Sequence, residues 1–159
     1  NDSSSFFTDK ELLNFYNIGL ILSLFPKARI INCTRDPLDN CWSIYKNYFP
    51  TKIDFSNDLS DLSKYYRSYQ DLMFFWKRLF PNEIYDLRYE NLINNTKQEV
   101  EKLLKFCSLE WDENCLAHHK NKRVIKTISF NQARRPIYNT SLKSYAGYEK
   151  YLTDLMDLA

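Results

Sequence analysis

Apolar positions along this chain recur with two different periods, and the switches between them mark out the predicted elements. From Thr8 to about Phe25 the spacing is helical: Thr8-Asp9-Lys10 opens an amphipathic helix, with Thr8 or Asp9 as cap and Leu12, Leu13, Tyr16, Leu20 and Leu24 on its inner side. Pro26 ends it. Ala28 to Thr34 is a short apolar, β-branched run between turn signals, which predicts a buried strand. Arg35 comes next, and then Asp36-Pro37, where Asp suits the N-cap and Pro the first helical position. Leu38, Cys41, Trp42, Tyr45 and Phe49 return to three- and four-residue steps and predict a second helix.

Pro50 to Asp58 is a polar loop, and Asp58 to Phe80 is a long helix striped by Leu62, Tyr65, Tyr66, Tyr69, Leu72, Met73, Trp76 and Leu79. An aromatic stripe at helical spacing is read as core. Pro81-Asn82 stops that helix, and Glu83 to Tyr89, carrying Ile84, Tyr85 and Leu87, predicts a second strand. Asn95 or Thr96 caps a helix over Lys97 to Cys107 with Val100, Leu103, Leu104 and Cys107 inward, and Tyr148 to Leu158 is a closing helix.

The junction at Arg35 carries the first candidate chemistry. In an open α/β sheet ligands bind beyond the carboxyl ends of strands, where helix N-termini favour anions. Arg35 sits where a phosphate would, and Ser43, two helical turns on, could donate to the same anion. A guanidinium gives phosphate two charge-assisted hydrogen bonds, each worth roughly 1.5–3 kcal/mol. The competing reading pairs Arg35 with Asp36 or Asp39 and makes Ser43 an ordinary helix residue.

Composition narrows the picture. With 159 residues, 44% of them apolar, the chain can bury one good core, and its 12 Tyr and 11 Phe make that core aromatic. A net charge of +2 points to neither a nucleic-acid binder nor a membrane-surface protein. No apolar run reaches membrane-spanning length, and Asn1 to Ser5 has no signal-peptide character, so a cytoplasmic location is expected. Cys33, Cys41, Cys107 and Cys115 lack CxxC spacing and are read as buried apolar positions in a reducing compartment, not as a disulfide framework or zinc site. His118 and His119 are adjacent and would point about 100° apart on a helix, so no metal is assigned. The two glycines, Gly19 and Gly147, lie in no loop that could wrap a phosphate in backbone N–H groups.

Between Glu113 and Glu149 there is no acidic residue, while Lys120, Lys122, Arg123, Lys126, Arg134, Arg135 and Lys143 are interleaved with Val124, Ile125, Ile128, Phe130, Ile137 and Tyr138. Such charge runs are usually solvated tails. The apolar interleaving predicts instead an ordered loop covering something anionic.

Arg35-Asp36-Pro37, Asp39, Cys41 and Ser43 resemble the 3′-phosphate-binding motif of sulfotransferases, and above all of the bacterial tetratricopeptide-repeat-bearing type and the tyrosylprotein sulfotransferases. Arg88-Tyr89-Glu90-Asn91-Leu92 is similar to the family's R-Y-E-D-L segment, with Asn for Asp. Thr127 to Tyr138 closely resembles T-x-S-x-x-Q-[VA]-R-x-P-I-Y, whereas Ser144 and Tyr145 stand where the family has a basic residue and Trp.

The resemblance implies 3′-phosphoadenosine-5′-phosphosulfate as donor, without a metal. Arg35 and Ser43 would then hold its 3′-phosphate, and Tyr89 would lie near the nucleotide or the acceptor cleft. Ser129, with Arg134 or Arg135, would close over the donor. Lys10 would be the catalytic lysine that meets negative charge building on the departing phosphate.

The implied fold is α/β, a P-loop-type parallel sheet flanked by helices, with residues 1–159 as the C-terminal portion of a single domain. The phosphate loop and the general base of the family lie upstream of the lysine, so a missing N-terminal segment of the same domain is the expected partner, and the chain alone is expected to be inactive. The acceptor is a hydroxyl on a small molecule, a glycan or a protein tyrosine. The alternatives are a non-catalytic nucleotide-binding module, a P-loop kinase relative and a ligand-free helical protein. Absence of a glycine loop and of Mg²⁺-binding carboxylates disfavours the kinase, and the acid-free basic segment disfavours the helical protein.

Overall fold

The computed structural model describes residues 6–49, 53–120 and 142–158. Two strands, β1 (Ile30–Thr34) and β2 (Ile84–Arg88), pair in parallel with Ile30 opposite Ile84 and Thr34 opposite Arg88. Parallel neighbours need a crossover. Most of it is two helices, α2 (Pro37–Tyr45) and α3 (Leu59–Leu79), with a 3₁₀ turn at Asp54–Asn57 between them. Upstream of β1 lie a 3₁₀ turn, Leu12–Asn17, and α1 (Ile18–Leu24); downstream of β2 lie α4 (Tyr89–Asn94) and α5 (Thr96–Phe106). The described chain closes with a 3₁₀ turn, Glu149–Tyr151, and a helical turn, Thr153–Met156. The architecture is thus α/β, a two-stranded parallel sheet flanked by helices. Among the described residues no helix is long and apolar enough to cross a membrane.

Asp36 caps α2 through a 2.9 Å bond from the Asp39 N–H, with Pro37 at the first helical position. Asp58 caps α3 in the same way, accepting from the Asp61 N–H at 2.9 Å. In both, a side-chain oxygen satisfies an otherwise orphaned first-turn donor.

Two apolar clusters meet along α3. One joins Leu38 and Cys41 of α2, Leu62 and Tyr66 of α3, and Leu152, Leu155 and Leu158 from the end of the chain. The other joins Ile18 and Leu22 of α1 to Met73, with Trp76, Phe80, Ile30 and Ile84 packed against it. Tyr69 touches both. Its hydroxyl donates to Asn32 Oδ1 at 2.8 Å, and Asn32 Nδ2 donates to Asp86 Oδ1 at 2.8 Å. That chain of bonds satisfies the one polar residue in the middle of β1, which is buried.

Three expectations of burial fail. Leu12, Leu13, Tyr16, Leu20 and Leu24 are exposed, not inward; the buried face is Ile18 and Leu22, with Phe15 beside it. The first segment is apolar on both sides, so periodicity alone does not choose between them. Gly19 chooses: an added Cβ there would lie 2.9 Å from the Trp76 ring, so this face is the one that comes close to α3. Trp76 also donates its indole N–H to Phe15 O at 2.9 Å. Second, Leu79 of the α3 stripe is exposed. Third, only Cys41 of the four free cysteines is fully buried; Cys33 is exposed and Cys107 and Cys115 are half-buried. Cys33 and Ile31 lie on the same side of β1, opposite Asn32, and both are open to solvent.

Candidate anion site at the carboxyl ends of the strands

Because β1 and β2 end in register, the residues just beyond their carboxyl ends come together. Arg35 leaves β1 and Tyr89 leaves β2, and the Arg35 guanidinium lies 5.2 Å from the centroid of the Tyr89 ring. A planar cation over a ring face is held electrostatically by the ring quadrupole, by about 0.5–2 kcal/mol. Arg35 Nη2 also stands 3.6 Å from Asp39 Oδ2, with Arg35 19% and Asp39 1% exposed. The sequence left two partners open for Arg35, and the geometry puts Asp39 beside it.

Glu90 ties the two strand ends. Its Oε1 accepts from the Asp36 N–H at 2.7 Å and its Oε2 from Arg88 Nε at 3.1 Å. Partial burial works to raise the Glu90 pKa. The backbone N–H groups of Asp36 and of Glu90 itself, with Arg88, outweigh it and hold the carboxyl below the ordinary range. At the start of α2 the N–H of Asp39 is already bonded to the Asp36 side chain. The helix start is therefore furnished with its own carboxylates, and a phosphate there would depend on the Arg35 guanidinium more than on helix backbone.

Ser43 lies half-buried two turns into α2, its carbonyl accepting from Asn47 Nδ2 at 2.6 Å. Lys10 is exposed in the non-helical stretch before Leu12–Asn17, outside the helix that the sequence predicts it to open. The cap of that 3₁₀ turn is Glu11, accepting from the Leu13 N–H at 3.4 Å, and Asp9 instead accepts from Asn14 Nδ2 at 2.7 Å. Ser129, Arg134 and Arg135 lie outside the described residues. Of the seven residues singled out from the sequence, the structure brings Arg35 and Tyr89 into contact.

In the sequence Asp39 stands out only as a possible partner of Arg35. The structure places it under the turn 142–147, where its carboxylate accepts from the Lys143 N–H at 2.7 Å and the Ser144 N–H at 2.6 Å. The departure from the family pattern at Ser144 is the one sequence signal that points there. Among the described residues no three His, Cys, Asp or Glu side chains gather as a metal site would need.

The fold and this junction define an α/β chain with an arginine just beyond the carboxyl end of a parallel strand. The chain belongs to the sulfotransferase family, whose model matches residues 1–113. It is also similar to an uncharacterized protein of Aquifex aeolicus (strain VF5), 37% identical over 153 residues. That match takes in 94% of this chain and 20% of the relative, so the chain spans about a fifth of that protein's length.

Proposed function

We propose that this chain carries the 3′-phosphate grip of a sulfotransferase that uses 3′-phosphoadenosine-5′-phosphosulfate as donor and a hydroxyl-bearing acceptor. The observation that carries it is Arg35, fixed between the Tyr89 ring and Asp39 at the carboxyl end of β1, in a chain that belongs to the family. The residues present fit a phosphate group: a guanidinium presents its N–H donors as a planar fork that matches phosphate oxygens two at a time, and partial burial keeps that fork in place. Ser43 adds a hydroxyl from α2, and Tyr89 a ring face beside the nucleotide. Bound donor supplies the activated sulfuryl group; this chain's part is to hold the far phosphate and, at Lys10, to offer a cation to developing charge. Ser129 with Arg134 or Arg135 completes the nucleotide contacts.

The grip on the 5′-phosphosulfate and the base for the acceptor hydroxyl are assigned to an upstream segment of the same domain. The exposure of Ile31 and Cys33 on β1 supports this, since a covering element would bury both. The 159-residue chain alone is then expected to bind 3′,5′-adenosine bisphosphate without turning over donor.

Arg35→Ala tests the grip cleanly, because Asp39 keeps its bonds to Lys143 and Ser144 when the guanidinium is gone. Calorimetry should show bisphosphate binding weakened by about 2–4 kcal/mol, near a hundredfold, with 5′-AMP hardly affected. Equal losses for both ligands would make Arg35 a structural residue and overturn the reading.

A further inference from the structure

Asp39 is the most buried charged side chain among the described residues, at 1% exposure. Its Oδ1 accepts from the Ser144 N–H at 2.6 Å and the Ser144 hydroxyl at 3.1 Å. Its Oδ2 accepts from the Lys143 N–H at 2.7 Å and faces Arg35 Nη2 at 3.6 Å. Lys143 has φ +53°, the left-handed conformation that turns successive N–H groups toward one anion. A non-glycine residue is held there only where its surroundings dictate it. One helical turn along α2, Trp42 donates its indole N–H to Ser144 O at 3.0 Å, and its ring packs on Tyr148 at 4.8 Å. Asp39 and Trp42 thus grip Ser144 from both sides, and the carboxylate that does so also touches Arg35.

We propose that Asp39 is the positioning residue of the anion site, fixing the Arg35 guanidinium with the same carboxylate that seats the turn 142–147, so that selectivity for a 3′-phosphate depends on both. The inference rests on Arg35 gripping that phosphate. Two physical effects compete when the carboxylate is neutralised. Losing a negative charge near the site would raise the preference for the bisphosphate, since Coulomb attraction grows with ligand charge and falls with distance and only the bisphosphate puts a phosphate beside Arg35. Losing the orientation of Arg35 would weaken only the ligand gripped through it, because a bidentate guanidinium bond is directional. The ratio of affinities separates the two.

The test titrates 3′,5′-adenosine bisphosphate and 5′-AMP into the full chain and into Asp39→Asn, Ser144→Ala and Arg35→Ala. Asp39→Asn keeps the side-chain shape but removes the charge and leaves one acceptor oxygen for four donors. Its preference for bisphosphate over 5′-AMP is expected to fall about tenfold, the effect of one well-aimed charged hydrogen bond. Ser144→Ala loses only the 3.1 Å hydroxyl bond and is the milder variant should Asp39→Asn fail to fold; its preference should fall about threefold. If both variants keep or raise the wild-type ratio while Arg35→Ala loses it, Asp39 is a clamp for the turn and the inference is overturned. If the wild-type chain shows no preference and Arg35→Ala changes nothing, the phosphate grip fails first, and the inference with it.

Discussion

Glu90 shows how a single side chain can tie one strand end to the next helix. Its carboxyl sits below the ordinary value of 4.5, because the Asp36 and Glu90 N–H groups and Arg88 outweigh the effect of burial. A folded-state pKa below the unfolded one means stability that is present above the ordinary value and lost as pH falls through the folded value. Glu90→Gln should therefore lower the melting temperature at neutral pH, with the gap to wild type closing below about pH 4.5. A gap that stays constant into acid would show that the charge of Glu90 contributes nothing. The motif around Arg35 was legible at this scale, because Arg, cap, Pro and helix are contiguous. The link from Asp39 to the turn 142–147 was not: it runs mainly through backbone N–H groups 104 and 105 residues away. Backbone donors leave no trace in residue type.

Among the elements, the long helix, both strands and the helix at Thr96–Phe106 lie within two residues of where the sequence predicts them. Each is bounded by local chemistry: an Asp cap, a Pro stop, a change of period. The facing of α1 was illegible from period alone, since both sides are apolar, and only the position of Gly19 held the answer. Gly19→Ala tests how closely α1 approaches Trp76. Alanine favours a helix interior over glycine by about 1 kcal/mol. Overpacking against a well-fixed neighbour costs about 1–3 kcal/mol. Trp76 is bonded to Phe15 O and stacked 6.0 Å from Phe80, so it cannot swing aside freely, and overpacking should win. The expected result is a melting temperature lowered by a few degrees, about 2–4 °C per kcal/mol for a chain of this size. A rise would mean that the Trp76 ring yields.

At the scale of the whole molecule, the larger cluster is completed from the far end of the sequence: Leu152, Leu155 and Leu158 pack with Leu38 and Cys41 of α2 and Leu62 of α3. Burial of Cys41, helped by the charge of Asp36, pushes its thiol up to about 12, so it stays a neutral member of that cluster. Leu155 has 0% exposure, and Leu155→Ala should cost about 2–5 kcal/mol, seen as a lower urea midpoint with an unchanged slope. A loss below about 0.5 kcal/mol would show that the closing turn is not part of the cooperative unit. The register of β1 on β2 also has a consequence in time. Asn32 and Asp86, which face each other, are 54 residues apart. Closing a flexible loop of that length costs roughly 3.5 kcal/mol before any strand contact repays it. The 21 residues of α3 lie inside that loop, and a formed helix rises only about 1.5 Å per residue, far less than the extended chain. Folding is then expected to begin in α3, with Tyr69 carrying its hydroxyl to Asn32 as the strands arrive, so the slow step is the meeting of β1 and β2 rather than the forming of either.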